Sequence, residues 1–477
     1  MAIEYMGLNN IQGPLAVIEG VDDTFYEEMV TVTLDNGEKR IGRVIEISGD
    51  KAVIQVFEGT SNLSLTNTKT KFMGEPMRLP LSKEMLGRTL DGIGRPIDGL
   101  GDYFADEVRD VNGQPINPVS REYPNNFIQT GISSIDCLAT LIRGQKLPIF
   151  SGDGLPHDDL AVQIARQAKV VDPDDENGEK FAIVFAAMGV KHDVANYFKK
   201  SFEESGVLGK VVMFLNLSND PVVERIITPR CALTAAEYLA FKHDMHVLVI
   251  LTDMTSYAEA LREVSSSKGE IPSRKGFPGY LYSDLASLYE RAGIIKDAKG
   301  SVTQVPILTM PNDDITHPIP DLTGYITEGQ IVLGRELSLK GVYPPVSILP
   351  SLSRLMKDGI GEGFTRADHP ELSNQLFAAY SKVEDAKSLA SVIGEDELSD
   401  IDKKYIKFGR AFEEKFLTQG KNENRTIDDT LNLGWELLGM LPKSELDRVS
   451  DKTLEKYYRP VEDEYNPERG NFRWQRR

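Results

Sequence analysis

The chain has 477 residues, of which 40% are hydrophobic, and it carries a formal net charge of −19. This length predicts about three domains with packed cores, and the acidic balance argues against a general nucleic-acid-binding face, which would be basic. Two cysteines, Cys137 and Cys231, exclude a disulfide framework and fit a reducing cytoplasm.

We expect no signal peptide and no membrane span. The longest apolar runs, such as Phe181–Met188, are far too short to cross a bilayer. Any link to a membrane is therefore expected to depend on partner proteins.

Residues 1–78 have the pattern of short strands separated by tight turns. Val30–Leu34 and Ile41–Ile47 flank Asn36-Gly37, a strong hairpin signal, and Gly49-Asp50 leads into a further strand. Several strands in so short a span predict a small closed β-barrel. Because a barrel leaves no free edges, we expect a collar that joins neighbouring subunits. An isolated β-domain without a partner is the alternative.

The stretch Leu147–Ala165 has the layout of a phosphate-binding loop: a short apolar strand, a glycine loop and an amphipathic helix. Counted from Gly152, the pattern Gly-x4-Gly-Lys-Ser/Thr requires a lysine and then a hydroxyl at the positions that Asp158 and Asp159 occupy. His157 stands where the second glycine would be. The lysine for the phosphates and the hydroxyl for Mg²⁺ are therefore both absent.

Negative charge replaces positive charge in this loop. A phosphate loop works because backbone N–H groups, a helix N-terminus and a lysine present positive potential to the ligand. Asp153, Asp158 and Asp159 place carboxylates there, which repel a triphosphate. We therefore predict a nucleotide-binding fold whose own phosphate cradle is disabled. The alternative is an ordinary strand–helix turn with a carboxylate cap on the helix.

From Phe127 onward strands and helices alternate, which is typical of a parallel sheet. Phe181–Met188, Val211–Leu215 and Val247–Leu251 predict strands that are buried on both faces. Asp253 follows the third strand, where a Walker B carboxylate would hold Mg²⁺ through water, or would simply cap the following turn. Both interpretations stay open. No carboxylate directly ends the first of these strands, so the base that would activate water is also missing, and we assign this chain no metal ligand.

Three later segments complete this region. Ser265–Gly279 is rich in Ser, Lys, Gly and Pro and predicts a surface loop. Pro318–Gly329 predicts a loop that enters a strand. Arg354 then follows a Pro- and Ser-punctuated turn just past an apolar strand. An arginine at this place either pairs with a carboxylate of its own chain or reaches across a subunit interface.

After residue 356 the pattern is helical. Ser399 begins a helix, and a second helix starts at Thr426 and stops by Pro442. Charged residues dominate from Lys452, and we expect a mobile end. The predicted domains are a β-barrel at 1–78, an α/β domain at 79–355, a helical bundle at 356–460 and a charged tail at 461–477. One face of the first helix carries residues at steps of three and four: Leu398, Ile401, Tyr405, Phe408, Phe412 and Phe416.

Taken together, the chain resembles the non-catalytic B subunit of V-type and A-type rotary ATPases. Members of that family also lack the lysine of the phosphate loop. The segments that carry the resemblance spread over most of the chain: Phe127–Ser133, Arg143–Ser151, Thr234–Ala240, Val247–Met254, Gly279–Tyr282, Asp321–Gln330 and Leu349–Leu355.

The resemblance implies an N-terminal β-barrel, a central RecA-like α/β domain of the P-loop type and a C-terminal helical bundle. It implies a ring of three A and three B subunits, with ATP or ADP and Mg²⁺ at A–B interfaces and bound mainly by A. It also implies central shaft subunits of the D/F type, peripheral stalk subunits of the E/G type and an indirect link to a membrane sector. The expected location is the cytoplasmic side of the membrane, with no nucleic acid bound.

By the same resemblance, Arg354 lies in the family's Ser-Leu-Ser-Arg-Leu segment, projects into the site of the neighbouring A subunit and contacts the γ-phosphate as an arginine finger in trans. The implied function is that of a regulatory subunit, not catalytic alone, in a complex that couples ATP hydrolysis or synthesis to H⁺ or Na⁺ transport. Two alternatives are a self-sufficient motor-type ATPase, against which Asp158 and Asp159 argue, and a nucleotide-free scaffold module.

Overall fold

The N-terminal strands form one antiparallel sheet of seven strands in the order β1-β7-β4-β5-β6-β3-β2. The computed structural model describes residues 4–170 and 180–461. Asn36-Gly37 makes the turn between β4 and β5, whose last pair is Thr33 with Lys39. The strands are β1 Glu4–Met6, β2 Asn10–Gln12, β3 Leu15–Glu19, β4 Glu28–Thr33, β5 Lys39–Ser48, β6 Lys51–Val56 and β7 Lys69–Pro76.

One short segment of chain connects the two edges of this sheet. β1 pairs with β7 and β2 pairs with β3, and only residues 7–9 separate β1 from β2. The predicted N-terminal barrel is confirmed. In the described residues, however, β1 and β2 do not pair with each other, and only the connecting residues close the gap between the two edge strands. Val30, Val32, Val44 and Ile54 fill its interior because side chains alternate between the two faces of a strand.

Shorter elements lead from the barrel into the central domain. β8 and β10 form an antiparallel pair, and β12 pairs with both β13 and β15. These elements are β8 Arg78–Leu81, β9 Thr89–Asp91, β10 Glu107–Asp110, β11 Arg121–Glu122, β12 Phe127–Gln129, the helix α1 Ser133–Leu138 and β13 Leu141–Ile142.

The main path of the central sheet has the order β22-β21-β14-β20-β18-β16-β17-β9, and its neighbouring pairs are parallel except β21–β22. Two short strands extend the sheet off this path through antiparallel pairs, β19 with β20 and β11 with β19. The three predicted apolar strands lie inside it and are buried. The remaining elements are β14 Ile149–Gly152, α2 His157–Gln167, β15 Lys169–Val170, β16 Phe181–Val190, α3 His192–Glu204, β17 Val211–Leu217, α4 Val222–His243, β18 His246–Thr252, α5 Met254–Ser267, α6 Leu281–Tyr289, β19 Gly293–Ile295, β20 Ser301–Met310, α7 Pro318–Ile326, β21 Gly329–Leu333, α8 Arg335–Leu339 and β22 Val346–Ser353.

The predicted loop over Pro318–Gly329 is wrong, because most of it is the helix α7. Pro318 occupies the first helical position, where the N–H that proline lacks would have no partner within the helix. The side chain of His317 caps the helix by accepting a hydrogen bond from the N–H of Ile319. The strand β21 does begin at Gly329, as expected. The predicted surface loop over Ser265–Gly279 holds apart from the last turn of α5 at its start and a short turn at Arg274–Gly276.

Beyond β22, the described residues form helices joined by loops, with no strand among them. Ser399 and Thr426 cap their helices, as predicted, and Thr426 forms a capping box with Asp429. The predicted mobile end from Lys452 is wrong at its start, since Lys452 lies in a helix, and residues 462–477 lie outside the described residues. The helices are α9 His369–Ile393, α10 Asp400–Ala411, a π-helix at Phe412–Leu417, α11 Ile427–Leu438 and α12 Asp451–Tyr457.

The helical domain and the central sheet share one hydrophobic core. Ile149 of β14 and Ile348 of β22 belong to the same buried cluster as Leu376 of α9 and Phe408 of α10. Polar contacts add to it, since the ring Nε2 of His369 lies 3.0 Å from the carbonyl oxygen of Cys137. Across residues 4–170 and 180–461, no helix is both long and apolar enough to span a bilayer.

Candidate functional site

The turn between β14 and α2 has the shape of a phosphate loop. β14 ends at Gly152, α2 begins at His157, and four residues connect them. Pro156 stands at the N-cap of α2, and no side chain caps the helix there. A carboxylate cap at the N-cap position is therefore not seen, whereas the alternative of an ordinary strand–helix turn stays open. Asp158 and Asp159 lie in the first turn of α2, next to the positive end of the helix dipole.

An ion pair covers the mouth of this loop. Arg335 binds Asp313 through two hydrogen bonds, of 2.5 Å from Nε and 2.8 Å from Nη2, and also donates to the carbonyl of Asp153. A Cβ on Gly152 would lie only 2.1 Å from Oδ1 of Asp313. The pair therefore rests directly on Gly152. The adjacent guanidinium lowers the pKa of Asp313, so this carboxylate stays charged where a phosphate would have to enter.

The two aspartates of the first helical turn have different environments. Asp159 accepts hydrogen bonds from the hydroxyl of Tyr197 at 2.6 Å and from Nζ of Lys421 at 2.7 Å. Among the described residues, the carboxylate of Asp158 has only a 3.8 Å contact with Nε2 of His157. Burial raises the pKa of Asp158, and Asp253 and Asp159 raise it further against the opposing effect of His157. Lys421, the cation on this side, is thus used to hold Asp159 rather than to receive a ligand.

Asp253 caps a helix. Its Oδ1 accepts from the N–H groups of Thr255 at 2.8 Å and Thr309 at 3.2 Å, and its Oδ2 accepts from the hydroxyl of Thr309 at 2.6 Å. Of the two interpretations of this residue, the structure favours the cap, because both carboxylate oxygens are already used. The described residues contain no cluster of three or more groups that could hold a metal ion. Because Asp158 and Asp159 stand where a phosphate loop has its lysine and its Mg²⁺-binding hydroxyl, the residues at this edge do not fit Mg²⁺–nucleotide.

The end of β16 also lacks a catalytic carboxylate. Gly189 and Val190 end the strand, and a Cβ on Gly189 would meet Nε of Arg225 at 2.9 Å. Arg225 is fixed there by a 2.9 Å hydrogen bond to Oδ1 of Asn216. A guanidinium therefore stands beside the strand end where a hydrolase would place a base.

Arg354 lies at the opposite edge of the same sheet. β22 runs antiparallel to β21, with Ser353 paired to Gly329, so Arg354 is level with the start of β21. Gly152 is level with the far end of β21, since Ile149 pairs with Ile331. At about 3.3 Å per residue, the two edges are roughly 15–20 Å apart. Arg354 therefore does not face its own chain's phosphate loop.

The guanidinium of Arg354 is exposed, and within the described residues it makes no ion pair or hydrogen bond. Its backbone, in contrast, is fixed: the N–H donates to the carbonyl of Glu328 at 2.9 Å. The alternative of a salt bridge inside the chain is not seen in the described part of the molecule.

Two groups of interacting residues were not singled out from the sequence. The pair Arg335–Asp313 joins residues on different elements, and no local pattern signals it. Lys146 is 3% exposed and pairs with Glu290 and Glu328. A lysine three residues before the first residue of the buried strand β14 is the one signal that could have drawn attention to this second group, since lysine is rarely buried unless paired.

Comparison with known proteins agrees with this architecture. The family model for the nucleotide-binding domain of the ATP synthase alpha/beta family matches residues 131–353, and its beta-barrel domain matches residues 9–74. The C-terminal domain of V and A type ATP synthase matches residues 358–458.

Relatives extend the match along nearly the whole chain. The V-type ATP synthase beta chain 2 of Clostridium tetani is 65% identical over 96% of this chain and 99% of its own length. The B subunit of the A-type ATP synthase of Aeropyrum pernix is 59% identical over 95% of this chain and 97% of its own. A solved structure, the ATP synthase subunit NeqB from Nanoarcheaum equitans, is 39% identical with a TM-score of 0.71, covering 90% of this chain and all of that one.

These matches confirm the predicted fold class and the resemblance seen in the sequence. The chain contains the nucleotide-binding domain of the family, even though its own phosphate loop is altered. The matching domains in order, together with relatives of this identity, show that the chain belongs to the family of B subunits of V-type and A-type ATP synthases, which are rotary ATPases.

Proposed function

We propose that this chain donates Arg354 in trans and so completes the ATP site of a neighbouring catalytic A subunit. As a B subunit, the chain works in a membrane-associated complex with A and other subunits. The observation that carries the proposal is the position of Arg354. Its guanidinium is exposed and has no partner among the described residues, and it lies at the sheet edge away from the chain's own phosphate loop.

The chemistry of phosphoryl transfer supports this role. Negative charge spreads over the oxygens of the transferring phosphoryl group, and a guanidinium can meet it in a planar, bidentate contact. Such a finger contributes roughly 10³–10⁵ in rate, or about 4–7 kcal/mol of barrier. Mg²⁺ and most contacts to ATP or ADP belong to the A subunit, because the residues of this chain do not fit them. The contact also makes catalysis depend on closure of the A–B interface.

In this proposal three A and three B subunits form an A3B3 ring on the cytoplasmic side of a membrane. Central shaft subunits of the D/F type and peripheral stalk subunits of the E/G type connect the ring to a membrane sector that moves H⁺ or Na⁺. This chain is regulatory rather than catalytic alone. The ring architecture rests on family membership, whereas the role of Arg354 also rests on its geometry.

The test is Arg354→Lys in the reconstituted complex. Lysine keeps the charge but loses the planar, two-point contact, so turnover should fall by roughly 10³-fold or more while the ring still assembles. Arg335→Lys is the matched control, because it changes an arginine at the opposite edge of the same sheet. ATPase rates and size-exclusion profiles of both variants are compared with those of the wild type.

Each result has a distinct meaning. Wild-type turnover in Arg354→Lys contradicts the role of this residue. A loss of turnover equal to that of Arg335→Lys points to general damage rather than to a finger. Normal ATP hydrolysis by the isolated chain would instead support a self-sufficient motor-type ATPase. An affinity for A that does not change with nucleotide would support a nucleotide-free scaffold.

A further inference from the structure

Lys146 is a buried cation between two carboxylates. Its side chain is 4% exposed, and its Nζ lies 2.9 Å from Oε1 of Glu290 and 2.7 Å from Oε1 of Glu328. Glu290 also pairs with Arg121 at 2.8 Å. An ammonium group that is removed from water needs such partners, so the arrangement fixes the two glutamates relative to each other.

Glu328 connects this ion pair to the backbone of Arg354. Its Oε2 accepts from the N–H of Lys146 at 2.9 Å, and its own N–H donates to the carbonyl of Lys146 at 3.2 Å. Its carbonyl accepts from the N–H of Arg354 at 2.9 Å. Lys146 therefore holds both the side chain and the main chain of Glu328, and Glu328 in turn holds the backbone of Arg354.

A second contact anchors the residue before Arg354. Nε2 of Gln145 donates to the hydroxyl of Ser353 at 2.9 Å and to the carbonyl of Glu328 at 3.2 Å. Gln145 is fully buried. Gln145 thus holds Ser353 directly, and Lys146 holds Arg354 through Glu328.

We propose that Lys146 is a positioning residue for Arg354, acting through Glu328, and this inference rests on the proposed role of Arg354. The guanidinium of Arg354 is free to reach outward, but the point from which it starts is fixed by the Lys146–Glu328 contacts. A misplacement of about 1 Å at a reacting centre can lower a rate by about 10²-fold. The exposed finger therefore depends on a buried ion pair for its accuracy.

The test is Lys146→Met in the complex of the full chain with the A subunit. Methionine keeps much of the length of the side chain and removes its charge. We expect kcat to fall by about 10²-fold, with the KM for MgATP and ring assembly close to those of the wild type. Lys146→Arg, which keeps the charge, should recover part of the lost kcat.

A double variant separates positioning from general damage. In the Arg354→Ala background, Lys146→Met should cause no further loss of kcat, because Lys146 acts only through Arg354. An equal loss of kcat in both backgrounds overturns the proposal. If Arg354→Ala itself keeps wild-type turnover, then the proposed function has failed, and this outcome is distinct from a failure of the positioning role.

Lys387→Met is the matched control. Lys387 also pairs with two glutamates, Glu384 at 2.8 Å and Glu413 at 2.7 Å, but it lies on α9 in the helical domain. Lys387→Met should lower thermal stability, and any change in kcat that it causes should be the same in the wild-type and Arg354→Ala backgrounds. If Lys146→Met does not assemble, Glu328→Gln tests the same contact with a smaller change. An assembled Glu328→Gln complex with wild-type kcat then overturns the proposal.

Discussion

The two edges of the central sheet differ in how their charged groups are used. We call the edge where the parallel strands end the carboxyl edge, and the edge where they begin the amino edge. At the carboxyl edge, Arg335 is bound to Asp313 and Lys421 is bound to Asp159, so each of these two cations is neutralised within the chain. At the amino edge, the charges around Lys146 hold the backbone, and the guanidinium of Arg354 remains exposed. The difference teaches that, within the described residues, one sheet has these two cations paired at one edge and presents an exposed guanidinium at the other.

The strand and the helix on either side of the altered loop also contribute to packing. Leu160 and Ile164 on α2 are buried in the same core as Ile149 of β14. Burial of such side chains stabilises the fold by about 1.5–3 kcal/mol each. The strand and the helix that flank the turn are therefore required for packing, independently of the loop residues that would face a nucleotide.

We expect the largest effect from Gly329→Ala, which tests whether the position of Arg354 at the amino edge matters for turnover. Gly329 has φ +138°, and a Cβ there would lie 2.2 Å from the carbonyl oxygen of Leu352. Alanine should push the end of β22 away and displace Arg354, lowering kcat by about 10²-fold. Gly209→Ala is the control, because nothing lies within 4 Å of its Cβ position. An assembled Gly329→Ala complex with normal turnover would show that the edge tolerates displacement.

Nucleotide binding by the isolated chain tests the carboxyl edge. Because that edge lacks the lysine and the hydroxyl of a phosphate loop and carries carboxylates, MgATP should bind with a Kd weaker than about 1 mM, near −4 kcal/mol. Isothermal titration calorimetry measures this directly. Arg354→Ala should give the same result, since Arg354 lies at the other edge. Tight, Mg-dependent binding would mean that the loop still works.

The smallest expected effect concerns the two neighbouring aspartates of α2. Burial raises the pKa of Asp158, so the folded wild type loses stability as the pH rises above ~4, the value of an unperturbed aspartate. Asp158→Asn should therefore stabilise the chain at pH 8 by less than about 1 kcal/mol and should have no effect near pH 3.

Asp159→Asn should have the opposite sign at pH 8, because it breaks the contacts with Tyr197 and Lys421. Thermal melts of both variants across this pH range measure the difference. The same sign for both variants would contradict the distinction between the two aspartates.

Sequence reasoning succeeded where local signals were strong. The turn Asn36-Gly37 correctly placed a hairpin, and the caps Ser399 and Thr426 correctly placed two helices. It failed at α7, where two prolines and a glycine led to the prediction of a loop. Proline is in fact well suited to the first turn of a helix, where Pro318 lies.

The arrangement of the site was only partly predictable. The missing lysine of the phosphate loop is visible in one short pattern, so a disabled cradle could be predicted from the sequence, and it stays a prediction. The contact between Lys146 and Glu328 joins residues 182 positions apart, and no periodicity encodes it. The role of Arg354 came from family resemblance and stays a prediction, while its location at the far edge of the sheet required the three-dimensional fold.

The core that the helical domain shares with the central sheet has a mechanical consequence. Ile348, only a few residues before Arg354, is packed in the same cluster as Leu376 of α9. Close-packed interiors have low compressibility and transmit strain. We therefore expect a force on α9 to be transmitted through this shared core to β22, the strand that ends just before Arg354.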